Sequence, residues 1–233
     1  SRVIAVQAED QMIMNENMKT ILGDIDDVSM HCKWRSPESC LSATKRVVAI
    51  AEKYSRRVHI LHITTAEEME FLKTKKHIAS VELLTNHLTL FAPDCYENLG
   101  TLAQQNPPIR EKHHHDALWK ALNEGIVDIV ASDHAPHTLD EKAQSYPNSP
   151  SGTPGVQTLV PIMLNHVNSG KLTLEKLVNL WSYGPERIHR IHNKVQVFSL
   201  CNWDLLVVQP GQLTVSYLLV RQNSHRSCLQ CSD

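Results

Sequence analysis

Gln7, His62, His87 and Asp133 carry an amide, two imidazoles and a carboxylate, and each ends or follows an apolar, β-branched run. In a parallel α/β sheet or barrel the loops at the strand carboxyl ends converge, and chemistry collects there. Packing explains four such positions poorly, so the pattern predicts one pocket. A second spacing, Cys228-x-x-Cys231, suits zinc or redox work, but no second pair or strand–helix unit accompanies it. Among the 14 histidines, His113-His114-His115 at a polar helix start read as solvated surface. His31, His59, His77, His166, His189, His192 and His225 read as structural or exposed.

The elements that must position these groups alternate. Strands are predicted at 3–6, 58–63, 79–84 and 127–131. Between Ser36 and Tyr54, the positions Cys40, Ala43, Val47, Ile50 and Tyr54 fall at helical spacing, behind a Ser36-Pro37 start. Thr65 and Glu68 have capping-box spacing ahead of Met69, Phe71 and Leu72, and Thr138 with Glu141 repeats it. A helix over 116–124 ends at Gly125. Segment 85–110, with Pro93, Pro107 and Pro108, reads as loop more than regular structure, and 132–155 as a long loop. Helices are expected near 156–168 and 173–182, then strands at 203–208 and 213–220. Near-continuous apolar strands alternating with helices signal a parallel sheet covered by helices.

The chain has 233 residues and a formal net charge of −2, without a basic stripe, which argues against a nucleic-acid partner. No apolar run reaches the ~20 residues of a membrane span, so no membrane association is expected. Cys32, Cys40, Cys95, Cys201, Cys228 and Cys231 read as reduced thiols of a cytoplasmic protein. Glycine is scarce, at 8 residues. The opening Ser1-Arg2-Val3-Ile4 runs directly into a strand and reads as a start inside a domain.

Ser132-Asp133-His134-Ala135-Pro136-His137-Thr138 makes the pattern specific. Upstream lie Asn106-Pro107-Pro108-Ile109-Arg110, Asn86-His87-Leu88, His62-Ile63-Thr64-Thr65 and Ala8-Glu9-Asp10; downstream lies Ser149-Pro150-Ser151-Gly152-Thr153-Pro154-Gly155. Six motifs in this order resemble the dihydroorotases, cyclic amidohydrolases of pyrimidine biosynthesis, from about Val3 to Asn193. The resemblance implies an α/β fold, a (β/α)8 TIM-type barrel present as its C-terminal half or slightly more, followed by strands of a small β-sandwich. It divides the chain into a barrel portion (1–193), sandwich strands (194–220) and a polar tail (221–233).

The resemblance also implies roles. His62 and Asp133 become metal ligands, and Asp133 the catalytic group that moves the proton of the attacking hydroxide. Asn106, His137, Ser151 and Gly152 hold the substrate ring and its carboxylate. One or two zinc ions are expected, activating water near neutral pH. The reaction is reversible closure of N-carbamoyl-L-aspartate to dihydroorotate.

Departures qualify this. Gln7 stands where the family has a histidine ligand, and a neutral amide is a poor zinc ligand. The family's H-x-H pair and its bridging carbamylated lysine or aspartate have no counterpart here. Impaired activity is therefore expected, and a half barrel is expected to aggregate, to pair with another chain or to be part of something longer. The alternatives are a non-catalytic scaffold, with a homo-oligomer or an aspartate transcarbamoylase-type partner, a decayed gene product, or an allantoinase- or hydantoinase-type amidase.

Overall fold

A computed structural model describes residues 2–21, 27–191, 204–208 and 215–219. The opening run forms β1 (Ile4–Val6). The chain continues through α1 (Gln11–Ile21), a 3-10 turn (Val28–Met30) and α2 (His31–Trp34) to α3 (Pro37–Lys53). β2 (Val58–Ile60) and α4 (Ala66–Lys73) lead to β3 (Ala79–Leu84), α5 (Thr85–Thr89), α6 (Asp94–Leu99), a 3-10 turn (Gly100–Ala103) and α7 (Lys112–Asn123). Then come β4 (Ile129–Ala131), α8 (Leu139–Lys142), α9 (Leu159–Asn168), α10 (Leu174–Val178), a π-helical turn (Asn179–Tyr183), α11 (Gly184–His189), β5 (Asp204–Val208) and β6 (Val215–Leu219).

β1 to β4 form one parallel sheet in the order β1-β2-β3-β4, with Val58 opposite both Ile4 and Ala79, and Glu82 opposite Ile129. Parallel neighbours need crossovers, which the helices provide. The architecture is parallel α/β, a partial barrel of four strands. All six residues of β3 are buried, as a central strand covered on both faces requires. On α3, Ser36 caps the helix by accepting from Ser39 N, with Pro37 in its first turn. On α4, Thr65 accepts from Glu68 N, while Met69 and Leu72 bury their side chains, each stabilising by about 1.5–3 kcal/mol. Glu68 does not return to the Thr65 backbone; its carboxylate turns inward and accepts from Thr44 Oγ1 at 2.7 Å and Thr65 Oγ1 at 2.9 Å. Burial raises the Glu68 pKa against these bonds.

Several expectations need correction. β2 and β4 are three-residue strands, shorter than the predicted 58–63 and 127–131. α1 lies where no element was predicted; Asp10 starts it, accepting from Met12 N at 3.0 Å. Segment 85–110 is mostly short helices, α5, α6 and a 3-10 turn, since its prolines fall between the helical turns. The helix over 173–182 is two helices joined by a π turn. α7 begins four residues earlier than predicted, so His114 and His115 are buried rather than solvated. Ala66 N donates to His114 Nδ1 at 3.0 Å, and His115 Nε2 lies 3.1 Å from Leu88 O.

Two compact units divide at Val160 and Pro161. In the first, a small apolar cluster (Val28, Cys32, Cys95, Tyr96, Ile109, Tyr146) underpins loops of the connecting segments. β1 has one strand neighbour among the described residues, and Ile4, Ile50 and Tyr54 are more than half exposed beside it. A groove of about 410 Å³ runs there, lined by Ile4, Val6, Val47, Ile50, Tyr54 and Arg57. In the second unit, β5 and β6 pair antiparallel, Asp204 opposite Leu219. Residues 221–233, with Cys228 and Cys231, and also Cys201, His192 and His225, lie outside the described residues. Cys32, Cys40 and Cys95 are free and buried.

Candidate active site

His62 and Asp133 each stand two residues beyond a strand, after β2 and β4, and both take left-handed backbone (φ 34° and 48°). Such a conformation costs a non-glycine residue on the order of 1–3 kcal/mol and clusters where strain is part of a site. Glu82 on β3 secures the first turn: its Oε1 accepts from His62 N at 3.3 Å, and its Oε2 lies 3.2 Å from His59 Nε2. His62 is buried, and its Nδ1 has no hydrogen-bond partner among the described residues. Asp133 is exposed and caps no helix; Thr138 caps α8, in a full capping box with Glu141.

His87, on α5 just past β3, is buried with Nε2 3.1 Å from Pro107 O and 2.8 Å from Gln105 Nε2. Burial foremost, then the charges of His62 and Arg110, lowers its pKa to about 3 against the Pro107 carbonyl, so the ring is neutral. The neighbouring Asn86 Nδ2 donates to Gln105 Oε1 and Thr153 Oγ1, both at 2.9 Å. Thr153 in turn forms a bridge with His134. The ends of β3 and β4 are thereby stitched together. His134 Nδ1 accepts from Gly155 N at 3.0 Å.

The remaining expected positions lie on two loops in contact. Gly152, at φ 145°, packs so closely on Ala135 that an added Cβ would fall 2.5 Å from Ala135 O and 3.1 Å from His137 Cδ2. His137 is half-buried, with Nδ1 3.7 Å from Glu141 Oε2. Gly152 N donates to Gln104 O at 3.0 Å, and Gln104 Nε2 donates to Ser149 O at 2.8 Å and Ser151 Oγ at 3.1 Å. Asn106 Oδ1 lies 2.8 Å from His31 Nε2.

Gln7 is exposed, and its Nε2 donates to Glu9 Oε2 at 2.9 Å. Glu9 is held in two-pronged fashion by Arg35. Burial pushes the Glu9 carboxyl up, yet Arg35 holds it below the usual range. Arg35 O accepts from Arg110 Nη1 at 2.6 Å, and Arg110 Nε reaches Thr64 Oγ1 at 3.2 Å, two residues beyond His62. The orphaned His62 Nδ1 suits a metal ligand. The set is nonetheless incomplete: among the described residues no three His, Cys, Asp or Glu side chains are grouped to hold a metal ion. The described residues therefore do not form a metal centre by themselves.

Sequence reasoning missed His31, Gln104, Glu82 and the Glu9–Arg35 pair as supports. Of these only Glu9 lay within a motif; nothing local to His31 announces a partner 75 residues away.

No family model matches the chain. It is 34% identical over 220 residues to a dihydroorotase of Methanosarcina mazei and 31% identical over 208 residues to one of Halobacterium salinarum, each match covering 89% of this chain and 48% of the relative. The chain thus spans about half the length of the curated relatives it matches. Among solved structures, L-hydantoinase (dihydropyrimidinase) from Arthrobacter aurescens superposes with a TM-score of 0.79 at 25% identity, over 88% of this chain and 49% of that one. The dihydroorotase matches, at 31% identity or more over most of the chain, show the family: the chain is a dihydroorotase-like amidohydrolase, matching part of the barrel.

Proposed function

We propose that the chain is the Asp133-bearing portion of a metal-dependent cyclic amidase of dihydroorotase type, which interconverts N-carbamoyl-L-aspartate and dihydroorotate, and that its own activity is impaired. The observation that carries this is the pair of strained strand ends, His62 and Asp133, in a chain similar to dihydroorotases. Zinc is the expected metal, with His62 and Asp133 supplying part of the ligand set. Asp133, exposed beyond β4, is the group that takes a proton from the attacking water and returns it to the leaving ring nitrogen. Asn106, His137 and the Ser151-Gly152 backbone hold the ring and its carboxylate. Residues 1–193 supply the barrel portion, and 194–220 strands of a sandwich.

A non-catalytic scaffold is the second reading, favoured by the engagement of Gln7 with Glu9 in place of a histidine ligand. The purified chain, supplied with Zn²⁺, is assayed for hydrolysis of L-dihydroorotate, hydantoin and allantoin. Slow turnover of dihydroorotate alone, reduced about 10²–10⁴-fold by Asp133→Asn, supports the dihydroorotase reading. Preference for hydantoin or allantoin transfers the chain to those amidases. Binding and turnover of none of them favours the scaffold.

A further inference from the structure

Lys142 closes α8 and is only 4% exposed. Its Nζ donates to three backbone carbonyls, Pro150 O at 2.9 Å, Gln104 O at 3.0 Å and Gly152 O at 3.1 Å. An ammonium has three protons, so this cage saturates it. No carboxylate among the described residues forms an ion pair with it, and burial alone draws its pKa below the usual lysine range. Buried charges are normally paired. A buried cation held only by carbonyl dipoles leaves a net positive charge beneath the 149–152 loop.

The same cage sets the direction of a backbone donor. In a planar trans peptide the N–H points opposite to the C=O, and the Pro150–Ser151 bond is not among the cis bonds. Turning Pro150 O toward Lys142 therefore presents Ser151 N–H on the far side of the loop. That N–H has no acceptor among the described hydrogen bonds. A donor whose own carbonyl neighbour is bound to a cation is polarised, and the chain of bonds strengthens it. Gly152, one residue on, lies against Ala135 and the His137 ring.

We propose that Lys142 is a specificity-determining residue that favours ring substrates bearing a carboxylate over the same ring without one, through its buried charge and the Ser151 N–H it orients. This rests on the reading of the site as a cyclic amidase site. A purely structural pin at Lys142 would affect charged and neutral rings alike, and that difference makes the test.

Binding of L-dihydroorotate and of dihydrouracil, the uncharged ring, is measured by titration calorimetry on the full chain. The wild type is expected to prefer dihydroorotate by about tenfold or more, the scale of one charge acting across a few ångströms of protein. Lys142→Met should bring the ratio near one by weakening dihydroorotate binding more than dihydrouracil binding, and Lys142→Arg, which keeps the charge, should retain the preference. An unchanged ratio in a folded Lys142→Met variant overturns the proposal and leaves the amidase reading intact. Binding of neither ring by the wild type overturns both, and is seen before any substitution is made. Should the methionine variant unfold, the wild type still decides: the Lys142 ammonium resonance in ¹⁵N-lysine-labelled protein should shift with dihydroorotate and stay in place with dihydrouracil, whereas equal shifts count against the role.

Discussion

His31 Nε2 lies 2.8 Å from Asn106 Oδ1, in a position to donate from a ring with no solvent exposure. The same nitrogen lies 3.1 Å from Gln105 O, and Nδ1 lies 3.4 Å from the Tyr146 hydroxyl. One ring thus joins α2, the Asn106 loop and the segment leading to Ser149. Asn106 is held from behind, with its side-chain oxygen committed to protein and its amide protons left for other partners.

This burial has a pH signature. Desolvation foremost lowers the His31 pKa from 6.5 to about 4, outweighing the bonds to Asn106 and Gln105 that raise it. Between these values the unfolded chain binds more protons than the folded one, so stability is full above about pH 6.5 and falls as pH drops toward 4, by roughly 3 kcal/mol. In His31→Gln the melting temperature should fall less over that interval than in the wild type, with a residual slope from His87. Parallel slopes in the two proteins would remove His31 as the cause.

Gly152→Ala should destabilise by more than about 3 kcal/mol, because a left-handed strain of about 1–3 kcal/mol is joined by a 2.5 Å clash with backbone. Gly125→Ala, also at positive φ but with open space around the added methyl, should cost only about 1 kcal/mol. Denaturant unfolding of both variants checks the order, and equal losses would mean that the 149–152 loop moves aside.

Gln7→His should raise zinc affinity by tenfold or more, since imidazole replaces an amide at a strand end beside Glu9. Metal retention after dialysis is the measurement. Asp133→Asn in the same background should return it to the wild-type level. No gain in retention would mean that position 7 is too far from His62 to share an ion.

Ile4→Lys should reduce light scattering of concentrated solutions while changing stability by no more than about 0.5 kcal/mol. The side chain is 54% exposed on a strand with one strand neighbour among the described residues, and charge on an edge opposes edge-to-edge pairing. Unchanged scattering would mean that this edge does not mediate self-association.

The sheet was legible because its strands are short, apolar and spaced by helical signals, and Ser36, Thr65 and Thr138 announce their helices by capping chemistry. Asp133 was legible as a residue past a strand end, whereas His62 was expected within a strand over 58–63 and stands past it because β2 stops at Ile60. What escaped depends on contacts distant in sequence. α1 has one buried residue, Met14, so its polar sequence carries little periodicity, and His114 is buried only because the backbone of Ala66 comes to meet its ring. Lys142 reads as an ordinary lysine in a polar helix, and only three carbonyls from two other segments show otherwise.

The cage around Lys142 also bears on how this part of the chain opens. Gln104, α8 and the 149–152 loop share one ammonium, one amide side chain and the Gly152–Gln104 backbone bond, so none of the three segments can detach without breaking bonds held by the others. Amide hydrogens across 104–152 that lie in this knot are therefore expected to exchange with solvent in one cooperative event, with the loops that carry Gln104 and Gly152 sharing a single opening free energy.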